Sequence, residues 1–122
     1  MLDSRFSGYQ FTLTDVVADN SSSAGFTLGG NAVDPRGIDL RLVGCVLEKN
    51  GQVVATAAGA AVMGHPAASV AWLVRALAAR GRGLSAGQVV MAGAITEAVA
   101  VAPGDTVVAR FDRLGTVEIA CR

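Results

Sequence analysis

The sequence predicts one α+β domain, built on a mostly antiparallel, curled β-sheet with one main α-helix. Strand-like segments outnumber helical ones, turn residues recur at short intervals, and only one long stretch has helical periodicity. The chain has 122 residues, of which 52% are hydrophobic, and this is enough for a single buried core. Because no repeat or linker divides the chain, we expect residues 1–122 to form one domain.

The first third of the chain combines strand-like segments with polar loops. Residues 9–17 predict a strand, and residues 18–25 form a loop of small polar residues that suits close approach to a ligand or an ordinary surface turn. Glycine and proline predict a second loop at 29–37. Alternating apolar and polar residues then predict a strand that begins at Ile38 and becomes buried on both faces at 43–47.

The remaining elements carry clearer signals. Asn50-Gly51 tolerates positive φ at both positions, so it predicts a tight hairpin that returns through 53–55. Pro66 suits a first helical turn, and apolar residues at helical spacing predict a helix over 66–80 that ends before Gly81. A short strand is predicted at 88–91, and two further strands at 106–111 and 116–121 are joined by a turn.

Charge and composition exclude several classes of protein. Ten basic and ten acidic residues cancel and form no run, which disfavours a nucleic-acid partner. No apolar stretch is long enough to cross a membrane, and the first residues lack the pattern of a secretory signal. We therefore expect a soluble, cytoplasmic protein, in which Cys45 and Cys121 are buried free thiols rather than a disulfide.

Few residues suggest chemistry on their own. His65 is the only histidine and precedes Pro66, so a structural role at the start of the helix is favoured over a catalytic one. The acidic residues are scattered singly, without the spacing of a metal site. Glu97 follows a Gly-Ala stretch whose backbone could approach a ligand, but a surface carboxylate has the same pattern.

Five stretches of the sequence together resemble one known family. They are DSR (residues 3–5), VADNSS (17–22), LEKNG (47–51), GAAVMGHPAA (59–68) and PGD (103–105). In order and spacing they are similar to the 2-hydroxypenta-2,4-dienoate hydratase and 4-oxalocrotonate decarboxylase group of the fumarylacetoacetate hydrolase superfamily. The resemblance extends over almost the whole chain, and residues 11–13 and 93–105 look more like the decarboxylase than the hydratase.

This resemblance implies the C-terminal portion of a β-rich roll and a divalent cation, Mg²⁺ or Mn²⁺. The cation would be chelated by the carboxylate and 2-oxo group of a small 2-oxo acid, and would take up the electrons released as CO₂ leaves. In a hydratase, a related enolate would instead end with the addition of water. Relatives in this group also associate, so the resemblance implies a homo-oligomer, a complex of the paired hydratase and decarboxylase, or a complex with a missing N-terminal segment.

The chain departs from the family in length. Family members are roughly twice as long, and the resemblance places their metal-binding glutamates and catalytic lysine before the position of Met1. We therefore expect no cation to be held by this chain alone. The function implied is the C-terminal part of a metal-dependent decarboxylase of aromatic meta-cleavage, with a hydratase or a catalytically silent assembly module that pairs through exposed strand edges as the alternatives.

The resemblance also implies which residues face the substrate. Asn20, Ser21 and Ser22 match the family loop whose serine faces the bound keto acid, where a hydroxyl could donate to the substrate carboxylate. Gly93 and Thr96 match a second wall of the pocket. Glu97 is included in the expected site because it belongs to the segment that resembles the decarboxylase.

Overall fold

The computed structural model describes residues 1–30 and 32–122 of the chain. Its helices are α1 (Leu13–Ala18) and α2 (Pro66–Ala78), and its strands are β1 (Gly44–Lys49), β2 (Gln52–Ala58), β3 (Thr106–Phe111) and β4 (Gly115–Ala120). Single 3-10 turns lie at Ser7–Tyr9, Asn20–Ser22, Pro35–Gly37 and Gly59–Ala61. The predicted second loop at 29–37 contains Asn31, which lies outside the described residues.

The four strands form one antiparallel sheet in the order β2-β1-β3-β4. Asn50 and Gly51 join β1 to β2 with φ of 52° and 77°, which confirms the predicted hairpin and its left-handed turn. Val54 is an extra residue in β2, because Leu47 pairs with Ala55 whereas Glu48 pairs with Val53. The predicted strands at 106–111 and 116–121 are also confirmed, the second shifted by one residue.

Helix α2 is the one long helix, as the sequence predicts, although it ends at Ala78 rather than at residue 80. His65 caps its first turn, where the side-chain Nδ1 accepts a hydrogen bond of 3.0 Å from the backbone N–H of Ala67. The interpretation of this histidine as a structural cap is therefore confirmed. Pro66 follows at the first helical position, where the missing N–H leaves no hydrogen bond unmade.

The predicted strand at 9–17 is wrong, because α1 occupies most of it. Thr12 and Asp15 form a reciprocal capping box, in which each side chain bonds to the backbone N–H of the other residue. These bonds satisfy N–H groups that the first helical turn leaves free, so a short helix forms despite the β-branched Val16 and Val17.

Two further strand predictions are corrected. The strand expected from Ile38 begins only at Gly44, because the backbone N–H of Leu42 bonds to the Asp39 carbonyl at 3.0 Å and closes a turn. Residues 88–91 form no strand, since the N–H of Gln88 bonds back to the carbonyl of Ser85 at 3.2 Å. In both places local turn bonds take the backbone groups that a strand would use.

The fully buried apolar core of the described residues is small. It contains Val43, Cys45 and Val62, with exposures of 4%, 3% and 8%. Many large apolar side chains are instead exposed, among them Trp72 on α2 and Val53 on β2. Both cysteines are free thiols, as predicted, but only Cys45 is buried and Cys121 is half-buried. Across 1–30 and 32–122, no helix has the length and apolar character needed to span a membrane.

Candidate functional site

The loop predicted to face a ligand has an unusual backbone. Asn20, Ser21 and Ser22 all adopt left-handed conformations, with φ of 50°, 56° and 55°. Residues other than glycine adopt this region at a cost in free energy, and such residues persist only where the surrounding contacts impose the conformation. A run of three therefore indicates a loop that is held in place by its neighbours.

Asp19 supplies those contacts. Asp19 is 3% exposed in the described structure, and its carboxylate accepts hydrogen bonds from the hydroxyls of Ser4 and Ser22, at 3.0 and 2.9 Å. Arg5 donates to it from Nη1 at 2.6 Å and from its backbone N–H at 3.3 Å. The bond from Arg5, helped by those from Ser22 and Ser4, lowers the pKa of Asp19 from 3.8 to about 2 against the opposing effect of desolvation.

The N-terminal residues fasten the other side of the same loop. Leu2 and Ser23 form an antiparallel bridge, and the N–H of Asp3 donates to the carbonyl of Ser22 at 2.8 Å. The amino group of Met1 donates to the carbonyl of Gly25, also at 2.8 Å. Residues 1–5 and 19–25 are thus one bonded unit.

This arrangement divides the roles within the loop. Ser22 is 5% exposed, and its hydroxyl already donates a hydrogen bond to Asp19. Asn20 and Ser21 are exposed, and no described hydrogen bond uses the Asn20 amide or the Ser21 hydroxyl. Of the three predicted residues, Ser22 holds the loop, while Asn20 and Ser21 are available to a ligand.

The second predicted wall lines an open cleft of about 760 Å³. One side of the cleft is β2 from Val54 to Ala58, and the other is the non-helical, unpaired segment 95–99. The residues of its lining with polar side chains are Thr56, half-buried Thr96 and exposed Glu97. No described residue forms an ion pair with Glu97.

Lys49 anchors the chain that follows this wall. Its Nζ donates to the carbonyl of Ala100 at 2.9 Å and lies 2.9 Å from the carboxylate of Asp105. Asn50 bonds to Asp105 at 2.7 Å and accepts from the N–H of Thr106 at 2.9 Å. The bonds to Asp105 from Lys49, from Asn50 and from the N–H of Ala102 lower its pKa to about 2. Together these contacts join the hairpin to the segment that enters β3.

The structure brings together only part of the predicted site. Thr96 and Glu97 share the cleft, whereas Gly93 is not among its lining residues. Gly93 has a φ of 117°, and its Cβ position lies 3.8 Å from Cγ1 of Val62. Asn20, Ser21 and Ser22 do not line this cleft, nor do they line the apolar groove of about 620 Å³ beside α2. A role for these six residues in binding stays a prediction.

The side chains of the described residues do not fit a divalent cation. No group of three His, Cys, Asp or Glu side chains comes together in the part of the chain that the structure describes. Most carboxylates are already bonded to cations, as Asp19 is to Arg5, Asp39 to Arg41 and Glu48 to Arg110. The described residues therefore offer no such cluster of ligands, and the expectation that this chain alone holds no cation stays a prediction.

Sequence reasoning missed two groups of residues that hold these loops. Asp19 and Arg5 lie in two of the resembling stretches, DSR and VADNSS, and Lys49 and Asp105 lie in two others, LEKNG and PGD. Each pair joins stretches that are distant in the sequence. The signal available was that charged residues of opposite sign occur in separate motifs, but the pairing itself is visible only in the folded chain.

The fold and the site define an α+β domain in which an antiparallel sheet supports one open cleft and one tied serine loop. Residues 6–121 match the family described as "Fumarylacetoacetate (FAA) hydrolase C-terminal". The chain belongs to the fumarylacetoacetate hydrolase family, so the resemblance inferred from its motifs is confirmed.

Curated relatives and solved structures agree with this assignment. The chain is 50% identical to a 4-oxalocrotonate decarboxylase of Pseudomonas putida over 117 residues, which cover 96% of this chain and 44% of the relative. It is 40% identical to a 2-keto-4-pentenoate hydratase of Paraburkholderia xenovorans (strain LB400), again over 117 residues, with 44% of the relative covered. The chain therefore spans less than half the length of these relatives.

A solved structure of 4-oxalocrotonate decarboxylase from Pseudomonas putida G7, complexed with magnesium and adipate, superposes with a TM-score of 0.94 and 48% identity. The superposition covers 99% of this chain and 46% of that one. This match confirms the predicted fold class, an antiparallel sheet with one main helix in the manner of the fumarylacetoacetate hydrolase family.

Proposed function

We propose that the chain forms the C-terminal part of a metal-dependent 4-oxalocrotonate decarboxylase, which acts on 2-oxohex-3-enedioate. The observation that carries the proposal is the difference between 50% and 40% identity, to a decarboxylase and a hydratase, over alignments of the same 117-residue length. Adipate, present with magnesium in the superposable decarboxylase, is a saturated dicarboxylate with the same number of carbons as this substrate.

In this proposal the chain supplies the substrate side of the site. The exposed Asn20 amide and Ser21 hydroxyl can donate to a substrate carboxylate from a loop that Asp19 and the N-terminal residues hold rigid. The proposal also assigns Gly93, Thr96 and Glu97 to the substrate, with the Thr96 hydroxyl as a further donor. Thr96 and Glu97 line the cleft beside β2, which the serine loop does not line. Ser22 acts through the loop conformation rather than by touching the substrate.

The cation belongs to the complete enzyme rather than to this chain. Structures of the relatives are complexed with magnesium or with calcium, which supports a divalent metal for the full-length family. Because the described residues form no ligand set, we propose that residues outside this chain hold the cation. A cytoplasmic location and assembly as a homo-oligomer or with the paired enzyme belong to the same proposal.

Hydration of 2-hydroxypenta-2,4-dienoate is the second candidate activity, since the hydratase aligns over the same share of this chain as the decarboxylase does. A catalytically silent assembly module is the third candidate. The three differ in what happens when the chain is combined with the part of the relatives that it does not match.

The test is reconstitution. The chain is co-expressed with the part of the Pseudomonas putida decarboxylase that lies outside the matched 117 residues, and the complex is assayed with Mg²⁺ for CO₂ release from 2-oxohex-3-enedioate and for hydration of 2-hydroxypentadienoate. We expect decarboxylation by the complex and no turnover by either part alone. Hydration without decarboxylation would establish the second candidate, and a bound but inactive complex the third.

A Ser21→Ala variant of the complex tests whether the hydroxyl of this loop residue binds the substrate. Loss of one substrate hydrogen bond should lower kcat/KM by about tenfold, which corresponds to about 1.4 kcal/mol. A variant with unchanged kcat/KM would remove Ser21 from the site while leaving the activity assigned.

A further inference from the structure

The turn between β1 and β2 contains a peptide bond that is open to a spontaneous reaction. Of the three asparagines in the sequence, only Asn50 precedes a glycine. Glycine has no side chain to crowd its own N–H, and no described hydrogen bond uses the N–H of Gly51. Both residues are exposed, so water reaches the turn. The Gly51 nitrogen is therefore a nucleophile next to the side-chain amide of Asn50.

The reaction at such a turn is deamidation, with water as the only other reactant. The Gly51 nitrogen loses its proton to base and forms a bond to Cγ of Asn50. The bond from Cγ to Nδ2 then breaks, Nδ2 takes up the proton, and ammonia leaves behind a cyclic succinimide. Water opens this ring at either carbonyl and gives aspartate or isoaspartate at position 50. Nothing is oxidised or reduced.

The folded chain holds both polar atoms of the Asn50 side chain. Nδ2 donates to the carboxylate of Asp105 at 2.7 Å, and Oδ1 accepts from the N–H of Thr106 at 2.9 Å. The backbone N–H of Asn50 also donates to the carbonyl of Thr106 at 2.9 Å. We call these three bonds the hairpin contact. Because ring closure expels Nδ2 and moves Cγ toward the backbone, the side-chain bonds have to break, and this opposes the reaction.

Asp105 is itself fixed in position. Its carboxylate lies 2.9 Å from Nζ of Lys49 and accepts from the N–H of Ala102 at 2.7 Å. The bonds from Lys49, Asn50 and Ala102 lower the pKa of Asp105 to about 2, so this carboxylate is ionised at neutral pH. A charged acceptor makes a stronger hydrogen bond than a neutral one, which makes Nδ2 harder to release.

We propose that Asn50 is a deamidation site whose reaction is suppressed by the hairpin contact, and that the product releases the hairpin from the segment entering β3. The inference is independent of the proposed function, because it needs only this chain and water. It gives Asp105 and Thr106 a role in the chemical lifetime of the fold as well as in its stability.

Either product is incompatible with the hairpin contact. Aspartate at position 50 replaces the donor Nδ2 with an oxygen that faces the ionised carboxylate of Asp105, and two negative charges at this distance repel. Lys49 offsets only part of the repulsion, since its Nζ also bonds to the carbonyl of Ala100. Isoaspartate lengthens the main chain between Lys49 and Gln52, the last pair of the β1 and β2 ladder, so the turn no longer fits the register.

The first test measures the rate of deamidation at Asn50. The folded chain, the chain in urea and a capped synthetic peptide of residues 47–53 are incubated at neutral pH, and conversion of amide to acid is followed by mass spectrometry of peptide digests. We expect the folded chain to react at least about tenfold more slowly than the peptide, and the chain in urea to approach the peptide. Equal rates in the folded chain and the peptide would overturn the suppression.

An Asp105→Ala variant shows whether the suppression acts through the hairpin contact. It removes the acceptor of Nδ2, so deamidation should be at least about fivefold faster than in the wild type. Lys49→Met is the matched control, because it removes the ion pair with Asp105 and the bond to Ala100 but keeps both side-chain bonds of Asn50. Its rate should stay within about twofold of the wild type.

If circular dichroism shows that Asp105→Ala does not fold, Asp105→Asn takes its place. This variant keeps an oxygen acceptor without the charge, so its rate should lie between those of the wild type and the peptide. A rate equal to that of Lys49→Met, in whichever Asp105 variant folds, would overturn the role of this contact.

Release of the hairpin is tested by amide hydrogen exchange in an Asn50→Asp variant, which reproduces one product. The N–H of Thr106 should exchange at least about tenfold faster than in the wild type, because its acceptor turns away from Asp105. The N–H of Ala109, within the same strand between β1 and β4, should change by less than about twofold. Unchanged exchange at Thr106 would overturn the release, and faster exchange at both residues would contradict a local effect.

Discussion

Gly59 occupies a position where the surrounding backbone leaves no room for a side chain. It is buried directly after β2, and a Cβ at its position would overlap the carbonyl oxygen of Leu40 and lie 3.4 Å from Cγ of Pro66. The overlap is with backbone rather than with the end of a flexible side chain, so relief requires the two segments to separate. The turn before β1 and the residues after β2 would then lose their contact.

We expect Gly59→Ala to lower the free energy of unfolding by about 2–3 kcal/mol, as overpacking against backbone does. Gly44→Ala is the matched control, because it lies in β1 with no atom within 4 Å of its Cβ position and no positive φ. The control should leave stability unchanged or raise it by up to about 1 kcal/mol. Urea denaturation measures both, and equal midpoints for the two variants would contradict the steric argument.

At the scale of single residues, the sequence does not predict which distant residues come into contact. The sequence stretch that contains Gly59 was identified by its resemblance to the family. Nothing in that stretch predicts that residue 59 lies against the backbone carbonyl of Leu40. In the same way, Asp19 was placed in a loop, whereas its bond to Arg5 joins residues 14 positions apart. Contacts of this kind are set by the fold, so local composition predicts the loop but not what holds it.

At the scale of elements, the sequence predicted best where one residue type fixes the backbone. Asn50-Gly51 predicted the hairpin because both residues tolerate positive φ, and Pro66 predicted the start of α2 because proline fixes φ in the helical range. The strand predicted at 9–17 failed because Val16 and Val17 favour strands, while the capping box at Thr12 and Asp15 stabilises a helix. That signal was present in the sequence, unlike the long-range contacts of Gly59.

Helix α2 depends strongly on its cap, because no residue of this helix is fully buried against the rest of the described structure. His65→Ala should lower the free energy of unfolding by about 1 kcal/mol, the usual loss when an N-cap acceptor is removed. His65→Asn, which restores an acceptor at the same position, should recover most of it. Helical signal by circular dichroism during urea denaturation tests this, and equal stability of both variants would show that the ring rather than its nitrogen matters.

On the scale of the whole molecule, hydrogen bonds and ion pairs between distant segments supplement a small apolar core. Val43, Cys45 and Val62 alone are fully buried apolar residues in the described ranges, whereas Asp19 ties the N-terminal residues to the serine loop and Asp105 ties the hairpin to β3. Both carboxylates accept stronger hydrogen bonds and form their ion pairs when they are ionised, so the stability of the chain should depend on pH.

Asp19, Asp39 and Asp105 each have a pKa lowered from 3.8 to about 2, by Arg5, Arg41 and Lys49 respectively as the largest cause. Since the folded pKa lies below the unfolded one, these groups bind fewer protons when folded, and their stabilisation is complete above about pH 4. It is lost as the pH falls toward 2. We therefore expect the urea midpoint to be constant near neutral pH and to decrease steeply between about pH 4 and pH 2.

An Asp19→Asn variant isolates the contribution of Asp19 to the pH dependence of stability from those of Asp39 and Asp105. The variant should start less stable at pH 6, because the ionised acceptor of Arg5 is gone, and its midpoint should fall less steeply than that of the wild type between about pH 4 and pH 2. Arg5→Gln should flatten the same interval, since it removes the largest cause of the low pKa of Asp19. In the double variant, the urea midpoint should depend on pH as steeply as it does in Asp19→Asn, because both substitutions act on the titration of the same carboxyl group. A wild-type slope in the Asp19→Asn variant would mean that the acid sensitivity of the chain resides elsewhere.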